Sequence, residues 1–144
     1  MPRRAARFWE PVARLVEADD IADGLLRRLG MLAFGDVVAG TLAHGRQRML
    51  EVGMCLAARP QLLLLDEPTS GMGIDDLPMM RELIRDIARD HTVVLIEHNM
   101  SIVLSISDRI TVMAHGRILT EGTAQDIQGH PEVRRAYLGA GALA

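Results

Sequence analysis

Residues 62–70 read LLLLDEPTS. Four leucines run into two adjacent acids and then a proline. A short continuous apolar run of this length is the pattern of a strand buried on both faces, as in a parallel sheet. A parallel strand delivers its carboxyl end to the ligand crevice. Asp66 there is placed to hold a Mg²⁺ ion through a water, and Glu67 to orient and deprotonate an attacking water. The same residues fit a buried strand that simply ends in acids at a turn, so the surroundings must decide. Phosphate-splitting chemistry built on such a pair also needs a lysine in a glycine-rich loop. The chain has no lysine, and all sixteen of its basic residues are arginine.

Downstream of this stretch, Asp75 or Asp76 is a cap for a helix over 76–90, with Pro78 in its first turn. Met80, Leu83, Ile84 and Ile87 recur at i, i+3, i+4 and i+7 and predict one buried stripe. TVVLIE (92–97) reads as a second buried strand, followed directly by His98. Asn99 caps a short helix containing Ile102, Val103 and Ile106. Residues 109–114 form a third strand, His115-Gly116 a turn, and 117–120 a hairpin partner. Thr123 with Asp126 makes a capping box, and Pro131 opens a last helix that ends near Gly139. Upstream, Pro60 stops a helix over 45–58 whose broad buried face is Met49, Leu50, Val52, Gly53, Leu56 and Ala57. A first helix over 12–30 buries Leu15, Ile21, Leu25, Leu26 and Leu29. Helices first, then strand–helix–strand–helix–strand, give an α/β chain with a parallel sheet.

Composition narrows the classes of function. The 144 residues are 49% hydrophobic and only 3% aromatic, so the core must be aliphatic and rich in methionine. A chain this long can bury roughly two thirds of its unfolded surface. A net charge of −3 with scattered arginines gives no support for nucleic-acid binding. Cys55, the single cysteine, lies among apolar residues at helical spacing and reads as a small core residue. No apolar run approaches the roughly 20 residues that span a bilayer, so a membrane role is expected to be peripheral.

Two more stretches can carry chemistry. In LAHGRQR (42–48), Gly45 opens a helix whose first amides offer an anion site, with His44 and Arg46 adding positive charge. An ordinary capped helix beside solvated arginines fits those residues as well. His98, at the carboxyl end of a parallel strand, can reach a terminal phosphate, or can be a loop histidine satisfied by backbone. His44, His91, His115 and His130 share no spacing that suggests a metal site.

Taken in order, these stretches resemble one family, the ATP-binding-cassette (ABC) ATPases. TLAHGRQRMLEVGM is similar to the family's signature loop and helix, LLLLDEP to its Walker B strand with the catalytic glutamate, TSGMG to its D-loop, and VVLIEHNM to its switch-histidine segment. SDRITVMAHGRILTEGTAQDIQGHPEVRRAYLG resembles the C-terminal end of the branched-chain amino acid importer ATPases. RRAARFWEPV and the helix after it resemble the end of their helical subdomain. The resemblance therefore implies a partial P-loop NTPase core. Residues 1–60 would be the end of the helical subdomain with the signature loop and helix. Residues 61–122 would be the Walker B, D-loop and switch-histidine half of the core, and 123–144 the C-terminal tail helices.

By that resemblance Glu67 is the general base, Asp66 the Mg²⁺-associated acid and His98 the sensor of the γ-phosphate. Leu42, Ala43, His44, Gly45, Arg46 and Gln47 form the signature loop, which in the family closes over ATP bound to a partner subunit. Ser70, Gly71, Met72 and Gly73 form the D-loop. The implied cofactors are ATP and Mg²⁺. The implied partners are a second ABC ATPase subunit and transmembrane permease subunits, at the cytoplasmic face of the cell membrane and without nucleic acid. The pattern departs from the family at Ala43, where a serine is usual, at Arg46, where Gln or Glu is usual, and at Gly73, often an aspartate. The Walker A loop, the base-stacking aromatic and the Q-loop lie upstream of the matched region in the family, and that answers the question of the lysine. In the family the Walker A strand lies between the switch-histidine strand and the next one. Strand 62–66 is thus expected to pair in parallel with 93–97, and 109–114 to stand one strand away, with the gap filled from outside. The expected function is the C-terminal part of the ATP-hydrolysing subunit of an importer, inactive by itself. The alternatives are a non-hydrolysing module that lends its signature loop to a partner, or an inactive fragment.

Overall fold

The strand that opens with Leu62 finds its partner thirty residues on. In the computed structural model, which describes residues 16–138, β1 (Leu62–Asp66) pairs in parallel with β2 (Thr92–Ile96). The register runs from Leu62 opposite Thr92 to Asp66 opposite Ile96, so the two carboxyl ends finish side by side. The connection carries a helix, α1 (Leu77–Ile87), as a parallel pair requires. Its stripe of Met80, Leu83, Ile84 and Ile87 is buried as the spacing predicts. Asp76 precedes it, but its side chain makes no capping bond. Residues 12–15 with Leu15, the stretch 3–12 and Gly139 lie outside the described residues.

The sheet departs from the expectation in one respect. Leu63 and Leu65 are buried, but Leu62 is 49% and Leu64 72% exposed. On β2, Val93 and Leu95 are half-buried, while Val94 and Ile96 are exposed. Strand side chains alternate between faces, so one face of the pair is covered and the other is bare among the described residues. An apolar run says that both faces avoid water. It does not say that one crossover helix can cover both.

The third strand does not slide against β2. β3 (Ile110–Ala114) pairs antiparallel with β4 (Arg117–Gly122) in a separate two-stranded sheet. His115 and Gly116, at φ 49° and 73°, make the turn, the backbone that a two-residue hairpin prefers. The register shifts between Val112 and Met113, which leaves a bulge at Leu119 on β4. Thr123 and Asp126 close the expected capping box on α2 (Ala124–Gly129). Asp126 is held below its ordinary value by the Thr123 hydroxyl and amide. Glu121 is held low by the Thr111 hydroxyl and then by Arg109. Ile110, Val112, Ile127 and Val133 form the core of this part, with Val103 and Leu104 of α3 (Met100–Ile106) packed against it. A short helix, α4 (Pro131–Val133), passes into a π-helical turn at Arg134–Leu138, and the Tyr137 hydroxyl donates to the carbonyl of Met113.

Residues up to Arg59 form a second unit. It holds α5 (Val16–Arg28) and α6 (His44–Ala57), joined by two 3₁₀ turns at Leu32–Phe34 and Ala39–Thr41. Gly53 lets the helices close: a Cβ there would lie 2.4 Å from Leu29 Cδ1. Met49, Val52, Gly53 and Leu56 are buried as expected, whereas Ala57 is exposed. Cys55 is exposed as well and is not a core residue. Its place between two buried positions at helical spacing turns it off the narrow stripe that α6 buries.

Candidate functional site

Parallel pairing brings Asp66 and Glu67 to the same end as Glu97 and His98. The ladder extends one step past the strands, because the Glu67 amide donates to the Ile96 carbonyl at 2.8 Å. Glu67 then turns into the left-handed region, φ 46°, which a residue with a Cβ seldom adopts. Ser70 N–H closes the turn on the Glu67 carbonyl at 3.0 Å. This bend carries the Glu67 side chain across to β2, where its Oε1 lies 3.2 Å from His98 Nδ1. The pair is open to solvent, with the His98 side chain 69% and the Glu67 side chain 49% exposed.

A base needs access to the water it deprotonates, and a phosphate-sensing imidazole needs a free ring nitrogen. With Nδ1 directed at Glu67, Nε2 is the ring nitrogen left to meet an anion, and it can donate to one only when the ring carries both protons. Asp66, at the strand's exposed last position, is the second carboxylate at this end. No group of three or more His, Cys, Asp or Glu among the described residues is arranged to hold a metal ion. Mg²⁺ is commonly held by one or two carboxylates, waters and the substrate's own phosphates, and Asp66 and Glu67 offer carboxylates of that kind at this end. The residues present fit Mg²⁺–nucleotide on that basis. Ser70, Gly71, Met72 and Gly73, the stretch expected to be a D-loop, begin three residues after Glu67. Met72 N–H donates to the Thr69 carbonyl at 3.1 Å, and Gly71 has φ 73°.

Two residues that the motif reading passed over hold this end together. Thr69 is buried, and both its amide, at 3.0 Å, and its hydroxyl donate to Oε1 of Glu97. Oε2 of Glu97 accepts from the Asn99 amide at 3.3 Å. Asn99 then caps α3 as expected, accepting from the amides of Ser101 and Ile102.

The loop over 42–47 belongs to the other unit. α6 begins at His44, with Ala43 before it in extended conformation and making no side-chain capping bond. Gly45 is buried, while Ala43 and His44 are exposed. Gln47 ties the loop from behind: its Nε2 donates to the carbonyls of Leu42 at 3.0 Å and of Ala39 and Gly40 at 3.3 Å. The Arg46 guanidinium lies over the Phe34 ring, 4.3 Å from its centroid, a cation–π contact that offsets a positive charge at the positive end of the helix. Ala43 has no side-chain group that could cap the first amides of α6.

Comparison with known proteins comes to the same place. The family model described as ABC transporter matches residues 3–70. The one described as branched-chain amino acid ATP-binding cassette transporter matches residues 117–142. The chain is 42% identical over 125 residues to the high-affinity branched-chain amino acid transport ATP-binding protein LivG of Salmonella typhimurium, covering 85% of the chain and 49% of LivG. Identity and coverage are the same for BraF of Pseudomonas aeruginosa. The chain thus spans about half the length of the curated relatives it matches. Among solved structures, an ATP-binding cassette of an ABC transporter in its ADP conformation superposes with a TM-score of 0.78 at 28% identity. That match covers 92% of this chain and 54% of the other.

Proposed function

Because the chain belongs to the ABC-transporter ATP-binding family, we propose that it is the C-terminal part of the ATP-hydrolysing subunit of an importer, with branched-chain amino acids or related solutes as cargo. The observation that carries this reading is the meeting of Glu67 and His98, 3.2 Å apart at the tips of adjacent parallel strands. Bound Mg²⁺–ATP supplies the phosphoryl group and the charge that neutralises it. Glu67 takes the proton of the attacking water. His98, when its ring carries both protons, donates Nε2–H to the terminal phosphate while Nδ1–H stays on Glu67. Asp66 would be the carboxylate that holds the cation. Phosphoryl transfer depends on positioning and charge stabilisation more than on covalent chemistry, and two strand tips locked in register provide positioning.

The loop over Leu42–Gln47 closes on nucleotide held by a second ATPase subunit. Ala43 brings no hydroxyl to it, so the amides of Gly45 and its neighbours carry the contact, with Arg46 adding charge. Ser70 to Gly73 meet the same partner. Permease subunits anchor the assembly at the cytoplasmic face of the membrane; no helix among the described residues is long and apolar enough to cross it. The lysine that holds the phosphates comes from polypeptide outside these residues, since none of the 144 is lysine. That fact also favours the second reading, in which the chain only lends its Gln47-braced loop to a partner's ATP. The experiment pairs the chain with a polypeptide that carries a G-x-x-x-x-G-K-[ST] loop and follows phosphate release with Mg²⁺. Hydrolysis abolished by Glu67→Gln supports the first reading. Hydrolysis indifferent to Glu67 but lost with Gly45→Trp supports the second.

A further inference from the structure

We propose that Glu97 is a positioning residue, whose carboxylate clasps the turn after β1 to the turn after β2 and so sets the Glu67–His98 geometry. The proposal deepens the ATPase reading and rests on it for its meaning, but not for its test. The contact between Glu67 and His98 cannot hold itself. It is a single bond of 3.2 Å between two side chains that are about half and two thirds exposed, and such pairs contribute little in water. The Glu67 backbone adds to the difficulty. At φ 46° it sits where a residue with a Cβ stays only if its surroundings over-determine it. Freed, it relaxes to negative φ and swings its side chain away from β2.

The entry to this bend is fixed by the Glu67 amide on Ile96. Its exit is fixed by Glu97. One oxygen of Glu97 takes both donors of buried Thr69, two residues after Glu67. The other takes the amide of Asn99, one residue after His98. A single carboxylate thus grips the chain on the far side of each member of the pair. Bonds to a charged acceptor are the stronger kind, and their partly buried setting protects them from water. Glutamate is needed because it offers two acceptor oxygens at the reach of a side chain that leaves the strand edge. Glutamine offers one.

The test uses the whole chain without nucleotide, so that loss of ATP hydrolysis and loss of the clasp are separate outcomes. An ionised Glu67 can only accept, so His98 must carry its proton on Nδ1. Nitrogen NMR of the imidazole reads this tautomer directly at about pH 8.5, above the ordinary imidazole range. In Glu97→Ala we expect His98 to shift toward the Nε2–H tautomer of a free imidazole. Amide exchange at Thr69 and Asn99 should speed up by more than about tenfold, as expected for losing a hydrogen bond to a charged group. Exchange in Leu63–Leu65 and α1 should change less than about twofold, which a general loosening of the fold would not spare. Glu97→Gln should keep the Thr69 protection and lose that of Asn99. Thr69→Val, which removes one donor and keeps the shape, gives the same reading at smaller amplitude if the alanine variant does not fold. His98 ring signals identical to wild type in both Glu97→Ala and Thr69→Val would overturn the proposal.

Discussion

Leu64 and Leu65 are neighbours of the same type in the same strand, and the structure gives them opposite fates. Leu65 is 7% exposed and Leu64 72%. Truncating a buried leucine to alanine costs about 2–5 kcal/mol, transfer and cavity together. Leu64 has only about a quarter of its surface to lose, so its share of the roughly 1.5–3 kcal/mol for full burial is about 0.4–0.8 kcal/mol. Alanine's poorer strand propensity adds a similar amount to both and leaves the difference intact. Against a total stability of about 5–15 kcal/mol for a domain, the contrast is measurable by urea denaturation of each variant in dilute solution. With an m-value of about 1–3 kcal/mol per molar, Leu65→Ala should lower the midpoint by roughly 1–2 M and Leu64→Ala by roughly 0.3 M. The slopes should not change. Equal losses at the two positions would refute the reasoning, because they would mean that the Leu62, Leu64, Val94 and Ile96 face is covered in solution.

The helical unit should respond to Gly53→Ala, whose added methyl meets buried Leu29 at 2.4 Å; overpacking of this kind costs about 1–3 kcal/mol, read as a lower melting temperature. Acid should loosen the hairpin and α2 first. The folded-state values of Glu121 and Asp126 lie below their ordinary ones, so the stability they contribute is present at neutral pH and is lost as pH falls through the acid range to those lowered values. Thr123→Ala should flatten the Asp126 part of that dependence in the NMR titration of its carboxyl. The chain by itself should show no Mg²⁺-dependent release of phosphate from ATP, since Asp66 and Glu67 are present without a lysine to neutralise the phosphates. Turnover abolished by Glu67→Gln in the isolated chain would contradict this.

The βαβ core was legible because several local signals agreed. The leucine run, the i, i+3, i+4, i+7 stripe and TVVLIE each predict one element, and their order allows one parallel pairing. The Asn99 cap and the Thr123–Asp126 box were legible for the same reason: each cap and its hydrogen-bond partners lie within three residues of each other. What escaped depends on long sequence separations. Glu97 meets Thr69 across 28 residues, and no spacing rule connects them. The left-handed backbone of Glu67 is imposed by what its neighbours bond to, and nothing about glutamate foretells it. Burial on one face of β1 escaped because side-chain chemistry reports what avoids water and leaves open what is there to cover it. Cys55 escaped because the buried stripe of α6 is narrower than its run of apolar residues.

The central claim is that Glu67 and His98, brought together by β1 and β2, carry out hydrolysis and are not needed to hold nucleotide. Its most direct test is a single-turnover experiment on the chain paired with a P-loop-bearing polypeptide, in which ATP binding and phosphate release are measured on the same sample. For Glu67→Gln and His98→Ala the account predicts that bound ATP is retained near the wild-type level while release slows by at least about a hundredfold, the scale of a lost general base. Release at near the wild-type rate in either variant would contradict it.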